Sequence, residues 1–226
     1  MIFLSGHEKK VTSYLCFASR WFNDCIMQVK LNSENKDLGK PGEGLPWVEQ
    51  VLMNFFFKLL VRLRSRRYFE TLFTKEANLI CDLVESKGTD SLESRVVVDR
   101  VVGMEDSSRD WSCYMTLEHL NIVNTGVFQL IKSLVNDEDE LNEVRIENVK
   151  PSCDSGEASW EEFQKVIKLV PRNLKKLKNL NSKNSHKHPW FGELNAFQWS
   201  ALIALHMGIH RKQIERIIQK IDGHVV

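Results

Sequence analysis

The chain has no run of about 18 apolar residues, the length a membrane-spanning helix needs. The nearest stretch, residues 51–63, is interrupted by Lys58 and Arg62. Lys9 and Lys10 are followed by no long apolar run before Arg20, which argues against a secretory signal. The five cysteines, at 16, 25, 81, 113 and 153, form no CxxC pair. Neither a zinc ribbon nor a disulfide scaffold is therefore expected, and a reducing cytoplasm fits best. Charge of one sign is also lacking. The formal net charge is +1, so no global field points to nucleic acid or to a membrane surface.

What is present is an ordinary globular composition, 42% hydrophobic and 27% charged, in a chain long enough for one domain with an extension. Residues 1–46 read as an N-terminal extension, because 32–46 is rich in Gly, Asn, Lys and Pro and behaves as a linker. Residues 47–226 read as the folded domain. Within it, 47–67 can form a helix that ends in the basic run Arg62-Leu-Arg-Ser-Arg-Arg67. Cations suit a helix C-terminus, and no second basic patch accompanies the run, so no nucleic-acid partner is expected.

Helical period is clear over 68–87, where Phe69, Leu72, Phe73, Ile80, Leu83 and Val84 recur at spacings of three and four before Gly88. The β-branched run Arg95-Val-Val-Val-Asp-Arg-Val-Val102 reads as a short strand or an extended loop. Residues 110–134 and 160–180 are further helices, the second with Pro171 as a candidate kink. A polar lead-in over 181–194 precedes a last helix at 195–221, with Asn195 as N-cap and Gln198 three residues on. The pattern is all-α: a four-helix bundle with long crossover connections.

The chemistry sits on the inward stripes. His206 and His210, four residues apart, share one helix face, beside Trp199 and Ile203. His119 lies on the inward stripe of another helix, with Trp111, Met115 and Ile122. Buried imidazoles need partners. Three of them on two helices match the three-ligand, open-position pattern of catalytic metal sites; hydrogen-bonded core histidines are the plainer alternative.

Other residues stay open at this level. Gln213, one turn beyond His210, either bonds a ligand's second nitrogen or sits on the helix surface. His188 either approaches the site or shapes the turn entering the last helix. Glu118 is turned about 100° from His119, toward solvent. Cys113, six residues from His119, points largely elsewhere and is a poor nucleophile candidate.

The segment His188-Pro-Trp-Phe-Gly-Glu-Leu, with Trp199 and His206-x-x-x-His210-x-x-Gln213-Ile214, resembles the last helix of the DinB-like (YfiT-like) metalloenzymes. Trp111-Ser-Cys-Tyr-Met-Thr-Leu-Glu-His-Leu120 resembles that superfamily's second helix, which brings its first metal histidine. The likeness covers about residues 68–221, and the first 46 residues have no counterpart. It implies a four-helix bundle and a divalent metal, commonly zinc or nickel, on His119, His206 and His210. Relatives include metal-dependent transferases that use low-molecular-weight thiols. The expected function is thus a metal-dependent enzyme, thiol-transferase or hydrolase in type, acting on a small-molecule substrate, with a homodimer left open. The rivals are a non-catalytic metal-binding bundle and a protein-interaction module.

Overall fold

The computed structural model describes residues 38–138 and 145–223. Cys16, Cys25, His7, His224 and most of the extension lie outside the described residues. Among those described there are six α-helices and one two-stranded sheet. Helices α1 (Trp47–Leu63), α2 (Arg66–Glu85), α3 (Thr89–Glu93) and α4 (Cys113–Val135) come first. Helix α5 (Glu157–Lys176), strands β1 (Ser185–His188) and β2 (Gly192–Asn195), and helix α6 (Ala196–Ile221) follow. None of the helices is long and apolar enough to cross a membrane.

Helix α6 is the central element. It packs against both α2 and α4, and α4 packs in turn on α5. The apolar stripes read from the sequence meet here: Phe69, Phe73, Ile80, Leu117, Leu120, Phe163 and Ile203 are all buried in one core. A partly buried ion pair crosses it, Arg211 of α6 to Glu76 of α2, with Glu215 as a second carboxylate on the same guanidinium.

Several boundaries differ from the sequence expectation. The helix expected over 47–67 stops at Leu63, because Arg64 turns extended and Ser65 caps a new helix by accepting from the Tyr68 N–H. The basic run is divided as a result. Arg62 and Arg67 are exposed, whereas Arg66 donates to the carbonyls of Leu174 and Leu177 at the end of α5, where carbonyls lack helical partners. The Val-rich stretch after α3 forms no strand. It runs extended and buries Val98 and Val101, held by Val98 N–H to the Arg109 carbonyl. Helix α5 continues through Pro171.

The polar lead-in is an antiparallel hairpin, with Ser185 paired to Asn195 and His188 to Gly192. Gly192 has φ 72°, the left-handed region in which a side chain is costly. The hairpin delivers the chain into the capping box of α6, where Asn195 and Gln198 bond reciprocally.

Residues 38–46, read as part of a linker, are fastened to the loop before α4. Asp106 accepts from Gly39 N–H, and Glu105 accepts from Gly42 and Gly44 N–H. Helix α1 is held by the hairpin and that same loop. Phe57 meets Phe191 at 5.0 Å, Asn54 donates to the Trp190 carbonyl, and Glu49 binds Arg100 and the N–H of Gly103. Its outer face carries exposed Trp47, Val51, Phe55, Phe56 and Leu63.

The Arg100 guanidinium bonded to Glu49 holds its carboxyl below the usual range, against an opposing push from burial. A carboxylate with a depressed folded pKa stabilises the fold above its unfolded value, about 4.3, and less as pH falls through the folded one. Glu49→Gln should therefore cost about 1–2 kcal/mol at pH 7, with the gap to wild type closing below about pH 4. Urea unfolding at pH 7 and pH 3.5 checks this; an equal gap at both pH values would refute it.

Candidate metal centre

His119 sits two turns into α4, whose start is fixed by Ser112. The Ser112 hydroxyl accepts from Met115 N–H at 3.1 Å and its carbonyl accepts from the Thr116 hydroxyl. His206 and His210 project from the middle of α6. The packing of α4 on α6 brings the three rings together: His119 Nε2 lies 3.2 Å from His206 Nε2, which lies 3.0 Å from His210 Nε2. Among the described residues, these three form a group that could hold a metal ion, with ligand atoms all within 4.8 Å of one another. His119 and His210 are buried and His206 is half-buried.

The outward nitrogens decide the protonation pattern. His119 Nδ1 is 2.6 Å from the Val149 carbonyl, which only accepts, so Nδ1 carries the hydrogen and Nε2 is a bare lone pair. His210 Nδ1 is 2.7 Å from Gln213 Oε1. That amide is oriented by its own Nε2, which donates to the Ser108 carbonyl at 2.7 Å. His210 Nε2 is therefore bare as well. His206 lies between two lone pairs and holds one hydrogen in its neutral form, so at least one close N···N pair is left without a proton.

Adding a proton does not resolve this. Burial, reinforced by neighbouring His210, drives His119 and His206 well below the ordinary histidine value. Burial takes His210 down to about 4, although Gln213 opposes it. Three neutral imidazoles with converging Nε2 atoms are the donor chemistry of a divalent cation, and the Nδ1 bonds of His119 and His210 supply the outer-shell support such ligands use.

Trp111 walls the group, stacked on His210 at 6.1 Å and tilted against His119 at 5.1 Å. Lys150 lies over the Trp111 ring and is committed to Glu105, Ser107 and Ser108. Burial pushes the Glu105 carboxyl up, but Lys150 and the Gly42 and Gly44 N–H groups outweigh it and hold the carboxyl low. A cavity of about 680 Å³ has all three histidines in its wall.

Glu118 is a correction to the sequence reading. It does not face open solvent; its carboxylate accepts from Ser152 N–H at 2.8 Å and from the Ser155 hydroxyl. It thereby pins the segment next to Val149, whose carbonyl orients His119. Gln213 is fully buried and bonds a histidine, so the surface alternative is removed. His188 Nδ1 accepts from the N–H groups of Trp190 and Phe191, which makes His188 a turn-shaping residue outside the three-histidine group. Cys113 is buried, and burial pushes its thiol up to about 12, so Cys113 offers no thiolate nucleophile. The roles of Val149, Ser108, Glu105 and Lys150 had no signal in the sequence, since a backbone carbonyl and isolated charged residues carry no motif.

No family model, no curated protein and no solved structure matches the chain.

Gln213→Leu removes the acceptor that fixes His210 while filling the same volume. It should weaken Co²⁺ binding about 10-fold or more, the usual cost of an outer-shell partner. Competition against a chelator measures this; an unchanged affinity would mean that Gln213 serves only packing.

Proposed function

We propose that the chain is a divalent-metal-dependent enzyme of the DinB-like (YfiT-like) superfamily, thiol-dependent transferase or hydrolase in type, on a four-helix bundle of α2, α4, α5 and α6. The observation that carries the reading is the convergence of three imidazole nitrogens, two of them bare, in the wall of a ligand-sized cavity. The likeness of the His119 and His206/His210 segments to that superfamily adds to it. Zinc and nickel are the metals that likeness implies, and both are compatible with imidazole donors.

A divalent cation held by these histidines supplies Lewis-acid polarisation of a carbonyl or activation of a nucleophile. The chain's residues do the rest. Val149 and Gln213 lock two imidazoles in the ligating tautomer. Trp111 shields the group on one side, while Lys150, neutralised by Glu105, anchors the loop beneath it. Because all three histidines line the cavity, a small molecule in it would meet an ion they held. A structural zinc site is normally closed by four protein ligands, and the described residues offer three. This favours the enzyme over the purely structural metal bundle.

The exposed apolar stripe of α1 supports a second reading, an interaction surface such as a homodimer contact. It is compatible with the first, and sedimentation of the purified chain distinguishes monomer from dimer.

Protein purified without a histidine tag should carry about one divalent ion per chain, lost in His206→Ala/His210→Ala. Equal metal content in the two proteins would sink the proposal. In the cobalt form, small anions or thiols should shift the visible spectrum, and His188→Ala should leave metal affinity nearly unchanged. A spectrum deaf to every added ligand would mean a closed site.

A further inference from the structure

The cavity is long, and most of its wall is apolar. On α4 its lining runs from His119 through Gly126 to Ser133, about 21 Å at about 1.5 Å per residue. Met53 and Phe57 of α1, Ile122 and Leu130 of α4 and Leu205 of α6 provide aliphatic and aromatic surface. Gly126 sits in this wall, and a Cβ built there meets no atom of the described residues within 4 Å. Aliphatic walls of this extent reward the burial of an alkyl or aryl body, and they do not satisfy the hydroxyls and charges of a hydrophilic peptide or sugar thiol.

Beside the three histidines, the same wall presents further hydrogen-bond donors. His188 accepts at Nδ1 from two backbone N–H groups, so in its neutral form the ring hydrogen is on Nε2. Among the described residues that Nε2–H has no partner, and His188 lines the cavity. Trp199, 1% exposed and 5.3 Å from the His188 ring, is also in the wall, and its indole N–H is buried with no partner. The wall also carries polar side chains, Gln129, Asn148 and Lys150 among them; the Trp199 N–H is sealed off, whereas the His188 Nε2–H is open to an acceptor brought by a ligand.

We infer that this cavity binds an elongated, predominantly apolar small molecule carrying a carbonyl-type oxygen, with His188 Nε2–H as the donor that receives that oxygen. The inference rests on reading the cavity as the substrate site and narrows its substrate class.

The test uses the full chain with its metal as purified, titrated by calorimetry with straight-chain primary amides of four to ten carbons, and with glutathione. Affinity should rise about fourfold per added methylene, while glutathione gives no binding to the cavity. Gly126→Phe projects a ring from this wall and should weaken decanamide at least tenfold, with metal content unchanged. His188→Asn keeps an acceptor for the turn and withdraws the Nε2 donor. It should weaken 4-pentylbenzamide about tenfold and leave pentylbenzene unaffected. A flat chain-length series, or decanamide binding that survives Gly126→Phe, overturns the assignment. Equal effects of His188→Asn on the amide and the hydrocarbon overturn the role of His188. Wild type that shows the chain-length series yet carries no metal as purified and takes none up would end the metalloenzyme reading and leave the ligand class standing. Metal-loaded protein with no series would do the reverse.

Discussion

Three imidazole nitrogens within 4.8 Å of one another, two of them fixed as lone pairs by carbonyl oxygens behind them, form the constraint on which the rest of the site depends. Without a cation at least one close N···N contact in this cluster is a lone-pair repulsion, and burial disfavours the extra proton that would relieve it. The surrounding chain can hold such a cluster only if its helices are locked by other means. The capped starts of α4 and α6, the shared core between them and the Glu76–Arg211 pair supply that rigidity. The energetic logic is that of a preorganised ligand set: the scaffold bears the cost of convergence in advance, and a bound ion recovers it.

Support for the histidines comes from loops as much as from helices. Val149 belongs to a short 3₁₀ turn and Ser108 to another, and Lys150 bonds to Glu105 and Ser108 between them. Glu118 braces the far side of the first turn. Glu105 extends the network to Gly42 and Gly44, so residues before α1 are tied to the floor of the site. The hairpin has two jobs of its own: it starts α6 in register, and it places His188 and Trp190 along the cavity.

The long, strongly periodic segments were legible in the sequence. The stripes of α2, α4, α5 and α6 show one apolar face each, and the Asn195/Gln198 box marks the start of α6 within a residue. The metal candidates were legible for the same reason: His119, His206 and His210 occupy positions where period 3.6 puts apolar residues, and polar side chains there stand out. What was not legible depends on tertiary context. The break at Ser65 is a local choice between two helices with compatible patterns. The hairpin is too short and polar to alternate visibly. Val98 and Val101 have strand propensity, yet they find burial without a partner strand. Glu118 looked outward because a helical wheel cannot know that the loop at Ser152 folds back over it.

The central claim is that three histidines of this chain, and no other protein group, ligate a divalent ion. X-ray absorption at the zinc edge of the metal-loaded protein tests it most directly. The account predicts three imidazole nitrogens at about 2.0–2.1 Å and one light-atom ligand from outside the protein. A sulfur ligand at about 2.3 Å, or four imidazole nitrogens, would contradict it.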